Sequence, residues 1–222
     1  MTLTKQTFDE IGIPFQRISI PMVYNKGSVP CAISSLDEFQ NKVQAYKFKF
    51  FSHVSHVNLK NKRPMISGFA KFLERNGIYE AVLILLEYGT LESINETKKM
   101  INDYGISDHV LWLEKKSRKE LLQVINDMDM GFSEFEGMMW GGTGWEFLSM
   151  GVPFFHFIDS TEEEFKIEQN VPMPPIINTA SAENICEHLT RFSHDPELYR
   201  EKGRQMKGWF EEYGGKGLAE KW

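Results

Sequence analysis

The chain has 222 residues, with 25 Lys and Arg against 31 Asp and Glu, a formal charge of −6. That mild acidity excludes the broad basic face of a nucleic-acid-binding domain. Hydrophobic residues make up 41% and aromatic residues 13%, enough apolar surface to offset ordering entropy and to exclude disorder as the main state.

In chain order, residues 1–45 read as a linker or lead-in and not as a core element. TKQTFDEIG is a short helix closed by Gly12, FQRISI is a strand, and PMVYNKGSVPCAISS is a loop with two prolines and a glycine. The opening MTLTKQTFDEIG lacks the apolar core of a signal peptide. Apolar runs such as AVLILL and GVPFFHFI are far shorter than the roughly 20 residues of a membrane span. Cys31 and Cys186 match no metal or redox spacing, so the expected location is the reducing cytoplasm.

Residues 46–222 are regular. YKFKFFSHV is a strand, and RPMISGFAKFLERNG is a helix with Met65, Ile66, Phe69, Phe72 and Leu73 at helical spacing and Gly77 at its end. EAVLILLEY is a nearly continuous apolar run, as in a strand covered on both faces. LESINETKKMINDYG is an amphipathic helix closed at Gly105, HVLWLE a strand, and SRKELLQVINDM a helix opened by a Ser117–Glu120 capping box. DMGFSEF is a strand, GTGWEFLSMG a short helix, PFFHFID a strand and PPIINT an edge strand. STEEEFKIEQN is a solvated charge run, VPMPP an extended loop, and SAENICEHLTRFSHD and PELYREKGRQMKGWFEEYGG are the closing helices. About six strands alternating with helices predict an α/β, Rossmann-like, three-layer domain with a mainly parallel sheet. Ligands in such folds bind beyond the carboxyl ends of the strands.

The richest loop there is SEFEGMMWGGTGWEFLSMGVP. Its glycines permit close approach of backbone to a ligand, and the following helix presents N–H groups to an anion. A tight, well-packed βα turn explains the same glycines. The loop is neither a P-loop nor a dinucleotide fingerprint. Trp140 and Trp145 are candidates for stacking on a sugar or a base, with core packing expected of one of them. His53 and His56, three residues apart, have no further ligand partners for a metal.

WGGTGWEFLSMGVPFF resembles the donor-site segment of family 4 (group 1) glycosyltransferases of the GT-B fold. FKFFSHVSHVNLKNKRPMISGFAKFL, HVLWLEKKSRKELLQVINDMDMGF and DPELYREKGRQMKGWFEEYG follow in the order of that family, so the resemblance covers about residues 46–222. It implies the nucleotide-sugar-binding, C-terminal half of a GT-B enzyme, transferring a sugar from a nucleoside-diphosphate donor to a hydroxyl acceptor with retention. Glu146 matches the second glutamate of the family's E-x7-E motif, which holds the ribose hydroxyls. Lys60 matches the lysine that neutralises the diphosphate, within a trio with Lys62 and Arg63 that otherwise reads as solvated. Gly141, Gly142 and Thr143 match the turn facing phosphate or sugar. Leu113 and Glu114, next to Trp112, end a strand at the edge where the family contacts the base; Gly89 lies in the neighbouring loop.

The chain departs from the family in two places. Met138 stands eight residues before Glu146, where the first glutamate is expected; Glu134 and Glu136 are the nearby acids, and Glu136 with Lys60 are the candidate catalytic residues. The basic partner upstream of the lysine falls at about Ser55, flanked by His53 and His56. These departures leave open a second reading, a catalytically weak or inactive donor-binding module that works with a separate N-terminal-domain chain. A sugar-nucleotide epimerase of the same fold is a third. The resemblance implies UDP- or GDP-linked sugars as substrate, no metal and no other cofactor. A two-domain GT-B enzyme is typically twice this length, so the chain is expected to be half of a catalyst.

Overall fold

A computed structural model describes residues 36–56, 61–136, 141–215 and residue 217. The helix, strand and loop expected before residue 36, together with Cys31, lie outside the described residues. The first described element is one the lead-in reading does not foresee. Leu36, Phe39 and Val43 are spaced by three and four residues, and Asp37–Gln44 forms a helix, α1, with Leu36 and Val43 buried in the core.

Strand β1 (Phe48–Ser52) follows, then helix α2 (Arg63–Asn76), which starts on a proline in its first turn and ends at Gly77 with φ +58°. The apolar run is strand β2 (Ala81–Glu87), buried over its first six residues, as a strand covered on both faces must be. Helix α3 (Leu91–Asp103) is capped by Thr90. Strand β3 (Val110–Glu114) leads into α4 (Arg118–Asn126), whose Ser117–Glu120 capping box forms in both directions. Strand β4 (Met130–Phe132), α5 (Gly142–Met150) and β5 (Phe154–His156) come next. The charge run becomes α6 (Glu162–Gln169), solvated except for buried Phe165. The short strand β6 (Ile177–Asn178) precedes α7 (Ala182–His194) and α8 (Pro196–Tyr213).

All strand pairs are parallel and the sheet order is β3-β2-β1-β4-β5-β6. The chain winds from β1 outward to β3, then returns to lay β4 on the other side of β1. The two halves thus diverge between β1 and β4, and a crevice opens at their carboxyl ends.

Phenylalanine fills both sides of this sheet. Phe50 is enclosed edge-on by Phe69 and Phe72 of α2, Phe132 of β4 and Phe192 of α7, with centroids 5.9 to 6.4 Å away. Residues alternate along a strand, so Phe51 and Gly131 face the other layer, where α5 packs against α4 and α8. There the ring of Phe147 takes the space of a side chain on Gly131: a β-carbon at Gly131 would lie 2.3 Å from it. Phe147 also stacks on Phe154 at 5.3 Å.

Gly131→Ala is therefore expected to destabilise the fold by about 1–3 kcal/mol through overpacking. Adding Phe147→Leu should return part of that loss; urea unfolding of the single and double variants measures both.

Candidate functional site

Helix α5 lies over the β1/β4 crevice and carries Glu146 in its second turn. The side chain is only 9% exposed, and both carboxylate oxygens are taken. His53 Nε2 lies 2.5 Å from Oε2, and Arg118 Nε lies 3.0 Å from Oε1. His53 is the first residue past β1; its ring stacks on Phe51 at 5.3 Å and meets Phe147 edge-on at 5.1 Å. Arg118 is the first residue of α4, placed there by the capping box. A carboxylate removed from water to this extent is strongly disfavoured unless charge and hydrogen bonds compensate it, and here a guanidinium and an imidazole do so.

Glu146 is the residue that the motif resemblance singles out, and His53 one of the two histidines flanking the expected basic position. Arg118 was missed. Its signal is electrostatic: a cation in the first turn of a helix opposes the helix dipole, so it calls for an acidic partner elsewhere.

Register extends the polar ground under α5. Phe51 pairs with Gly131, and Phe132 with Phe155, so His53, Ser133 and His156 follow one another across β1, β4 and β5. All three are buried. Nδ1 of His156 accepts the backbone N–H of Glu134 at 3.3 Å. Among the described residues, His53 Nδ1 and Ser133 Oγ have no hydrogen-bond partner.

Gly141 is the N-cap of α5, in extended conformation, and among the described residues no side chain caps the first turn. Two charges flank it: the Glu134 carboxylate would lie 3.3 Å from a β-carbon at Gly141, and Arg118 Nη2 lies 4.0 Å from one at Gly142. Gly141, Gly142 and Thr143 thus come together with Glu146 and Arg118. Glu136 is exposed beyond β4, while Leu113 is buried and Glu114 exposed at the end of β3, two strands from the crevice. Leu113 is a core residue, so only its backbone faces outward. Trp145, half-buried, packs on Trp209 and Phe210 of α8 at the margin of the core. Lys60, Met138 and Trp140 lie outside the described residues.

The loop after β1 is tied to the loop after β2. The backbones of His56 and Gly89 form a bridge; Gly89 has φ +152°, and a β-carbon there would lie 2.1 Å from the His56 carbonyl oxygen. Glycine is thus needed at 89 for backbone packing. The His56 side chain is buried, with Nε2 donating to the Leu86 carbonyl at 3.0 Å and Nδ1 2.9 Å from the Thr97 hydroxyl. Lys62 is not the solvated lysine that the sequence suggests. It is 9% exposed and its Nζ donates to the Ser55 carbonyl at 2.9 Å, because the chain turns into α2 directly against the β1 loop. Among the described residues no group of three His, Cys, Asp or Glu is placed to hold a metal ion, and no helix is long and apolar enough to cross a membrane.

No protein-family model and no curated protein matches the sequence. Solved structures do match in fold. Anabaena HepE, in complex with UDP, superposes with a TM-score of 0.72 at 12% identity, over 97% of this chain and 59% of that one. The C-terminal domain of LpcC from Francisella tularensis, a glycosyl transferase group 1 family protein, gives 0.63 at 10% identity, over 84% of this chain and 96% of that one. Sucrose-phosphate synthase from Thermosynechococcus elongatus gives 0.65 at 12%, over 84% and 46%. The chain thus has the fold of the C-terminal half of GT-B proteins and spans about 60% of HepE.

His56 supplies a pH test of the β1 loop. Burial, then the charge of Lys62, lowers its pKa from 6.5 to about 4; the Leu86 carbonyl and Glu87 act the other way, and Lys98 adds to the lowering. The folded state therefore holds the ring neutral while the unfolded chain binds a proton. The contribution of His56 to stability is complete above pH 6.5 and is lost as pH falls toward 4. Unfolding of wild type and His56→Gln across that window should show a shallower acid slope in the variant.

Proposed function

We propose that this chain is the donor-binding half of a glycosyltransferase, which takes a sugar from a nucleoside-diphosphate donor to a hydroxyl acceptor with retention. The observation that carries the reading is the buried Glu146 carboxylate, set by α5 at the switch point beside the amino end of that helix. A carboxylate accepts hydrogen bonds only, which suits vicinal ribose hydroxyls. Backbone N–H groups of a first helical turn suit a diphosphate. HepE, whose fold this chain shares, has been crystallised with UDP and with UDP-glucose.

In this reading Glu146 takes the ribose, while Gly141, Gly142 and Thr143 face the diphosphate with their backbone. Gly89 and the Leu113–Glu114 backbone border the base. Lys60 neutralises the leaving diphosphate, and Glu136 is the acid nearest the reacting sugar. Preorganised donors at the leaving group supply the catalysis, so no metal and no further cofactor is called for. The expected setting is cytoplasmic, with a second GT-B domain, in this chain's own protein or in a partner chain, presenting the acceptor.

Met138, in place of the glutamate of the family motif, favours a second reading in which the chain binds donor but turns it over weakly. Product analysis separates the two: sugar transfer with an acceptor-binding domain present supports the enzyme, and tight donor binding without transfer supports the module.

Titration calorimetry with UDP, GDP and their sugars tests both. Binding of at least one at millimolar or lower concentration is expected, and Glu146→Gln should weaken it by about 1.5–3 kcal/mol, the worth of hydrogen bonds to a charged group. No binding by the wild type at millimolar ligand overturns the proposal.

A further inference from the structure

We infer that His53 and Arg118 are positioning residues that hold the Glu146 carboxylate for recognition of a ribose diol, an inference that rests on the nucleotide reading of the site. Three observations carry it. First, the carboxylate is held from both ends, Oε2 by His53 and Oε1 by Arg118. Two carboxylate oxygens offer about four lone-pair directions. Two are taken by the clamp, and two remain for a pair of adjacent hydroxyls.

Second, each clamp residue is itself fixed. His53 is sandwiched between Phe51 and Phe147, so its Nε2 has one place to donate. Arg118 is set at the first position of α4 by the Ser117–Glu120 capping box, where the helix dipole disfavours a cation. Its ion pair with Glu146 compensates that placement. A glutamate has three freely turning side-chain bonds; fixing both its oxygens removes that freedom before a ligand arrives, which is how preorganisation raises affinity.

Third, Arg118 brings positive charge to the amino end of α5, which the Glu134 carboxylate also flanks. An unpaired glutamate next to the α5 amino end would repel a diphosphate. Arg118, half exposed, cancels that charge while its Nη2 stays 4.0 Å from the β-carbon position of Gly142. Its Nε pairs with Glu146 while Nη2 of the same planar group lies beside the amino end of α5, two positions that the single nitrogen of a lysine does not fill together.

The test compares UDP and GDP with their 2′,3′-dideoxy counterparts, and with inorganic pyrophosphate, by calorimetry. Wild type should prefer the ribonucleotide by roughly tenfold or more, the worth of hydrogen bonds to a charged group. Arg118→Met and His53→Leu should each bring that preference toward one. His53→Gln, which keeps a donor, should restore most of it, and Arg118→Lys only part. A merely structural role would weaken ribo- and dideoxynucleotide alike and leave their ratio unchanged, so an unchanged ratio in both Arg118→Met and His53→Leu overturns the clamp. His53→Gln and Arg118→Lys, which each keep a donor beside Glu146, read the same ratio should either larger change fail to fold. Should Glu146→Gln abolish the preference while neither clamp variant alters it, the clamp fails and the nucleotide reading stands. Should the wild type bind none of the nucleotides, both fail.

Discussion

The contact on which the site depends is the ring of Phe147 against the bare backbone of Gly131. Without a side chain at that point of β4, α5 settles directly on the sheet. The ring then reaches Phe154 on one side and the imidazole of His53 on the other. Glu146 precedes Phe147 in the chain, so seating the phenylalanine carries the glutamate down into the crevice, below the level of solvent. Close packing of α5, burial of a carboxylate and its contact with His53 are three aspects of one arrangement.

Burial then sets the electrostatic terms. A carboxylate this far from water requires charge and hydrogen bonds, and the structure draws both from the β3-β2-β1 half of the sheet, across the switch point from Glu146. His53 comes from the end of β1, and Arg118 from the helix between β3 and β4. Their contacts with Glu146 therefore tie together the two halves that wind away from each other at the switch point. A second tie is made by the Gly89–His56 bridge, which fixes the β1 loop to the β2 loop. Lys62, bonded to the Ser55 carbonyl, fixes the same loop to the start of α2. These contacts make the carboxyl edge of the sheet a built surface at the level where a ligand in this fold binds.

The fold reads readily from the chain because its local signals agree with one another. AVLILLE is apolar throughout and becomes a strand covered on both faces. Ser117 and Glu120 stand at capping-box spacing and form the box. Gly77 ends α2 in the left-handed conformation that glycine favours. Leu36 and Val43 were the weaker case. They belong to a short polar helix whose two apolar residues acquire meaning only when there is a core to receive them.

By itself, then, the sequence determined the order of strands and helices, the parallel sheet that follows from it, and the loop that carries Glu146. These depend on periodicity and on caps, which act within a few residues of each other. Tertiary structure alone decided what surrounds Glu146. Its partners lie 93 residues away at His53 and on a different helix at Arg118, and nothing in local spacing joins them. It also decided that Trp145 belongs to the packing on α8 and Lys62 to the interior. A lysine among charged neighbours or a tryptophan among glycines has no fixed environment in the sequence; each receives one only when helices close over the sheet.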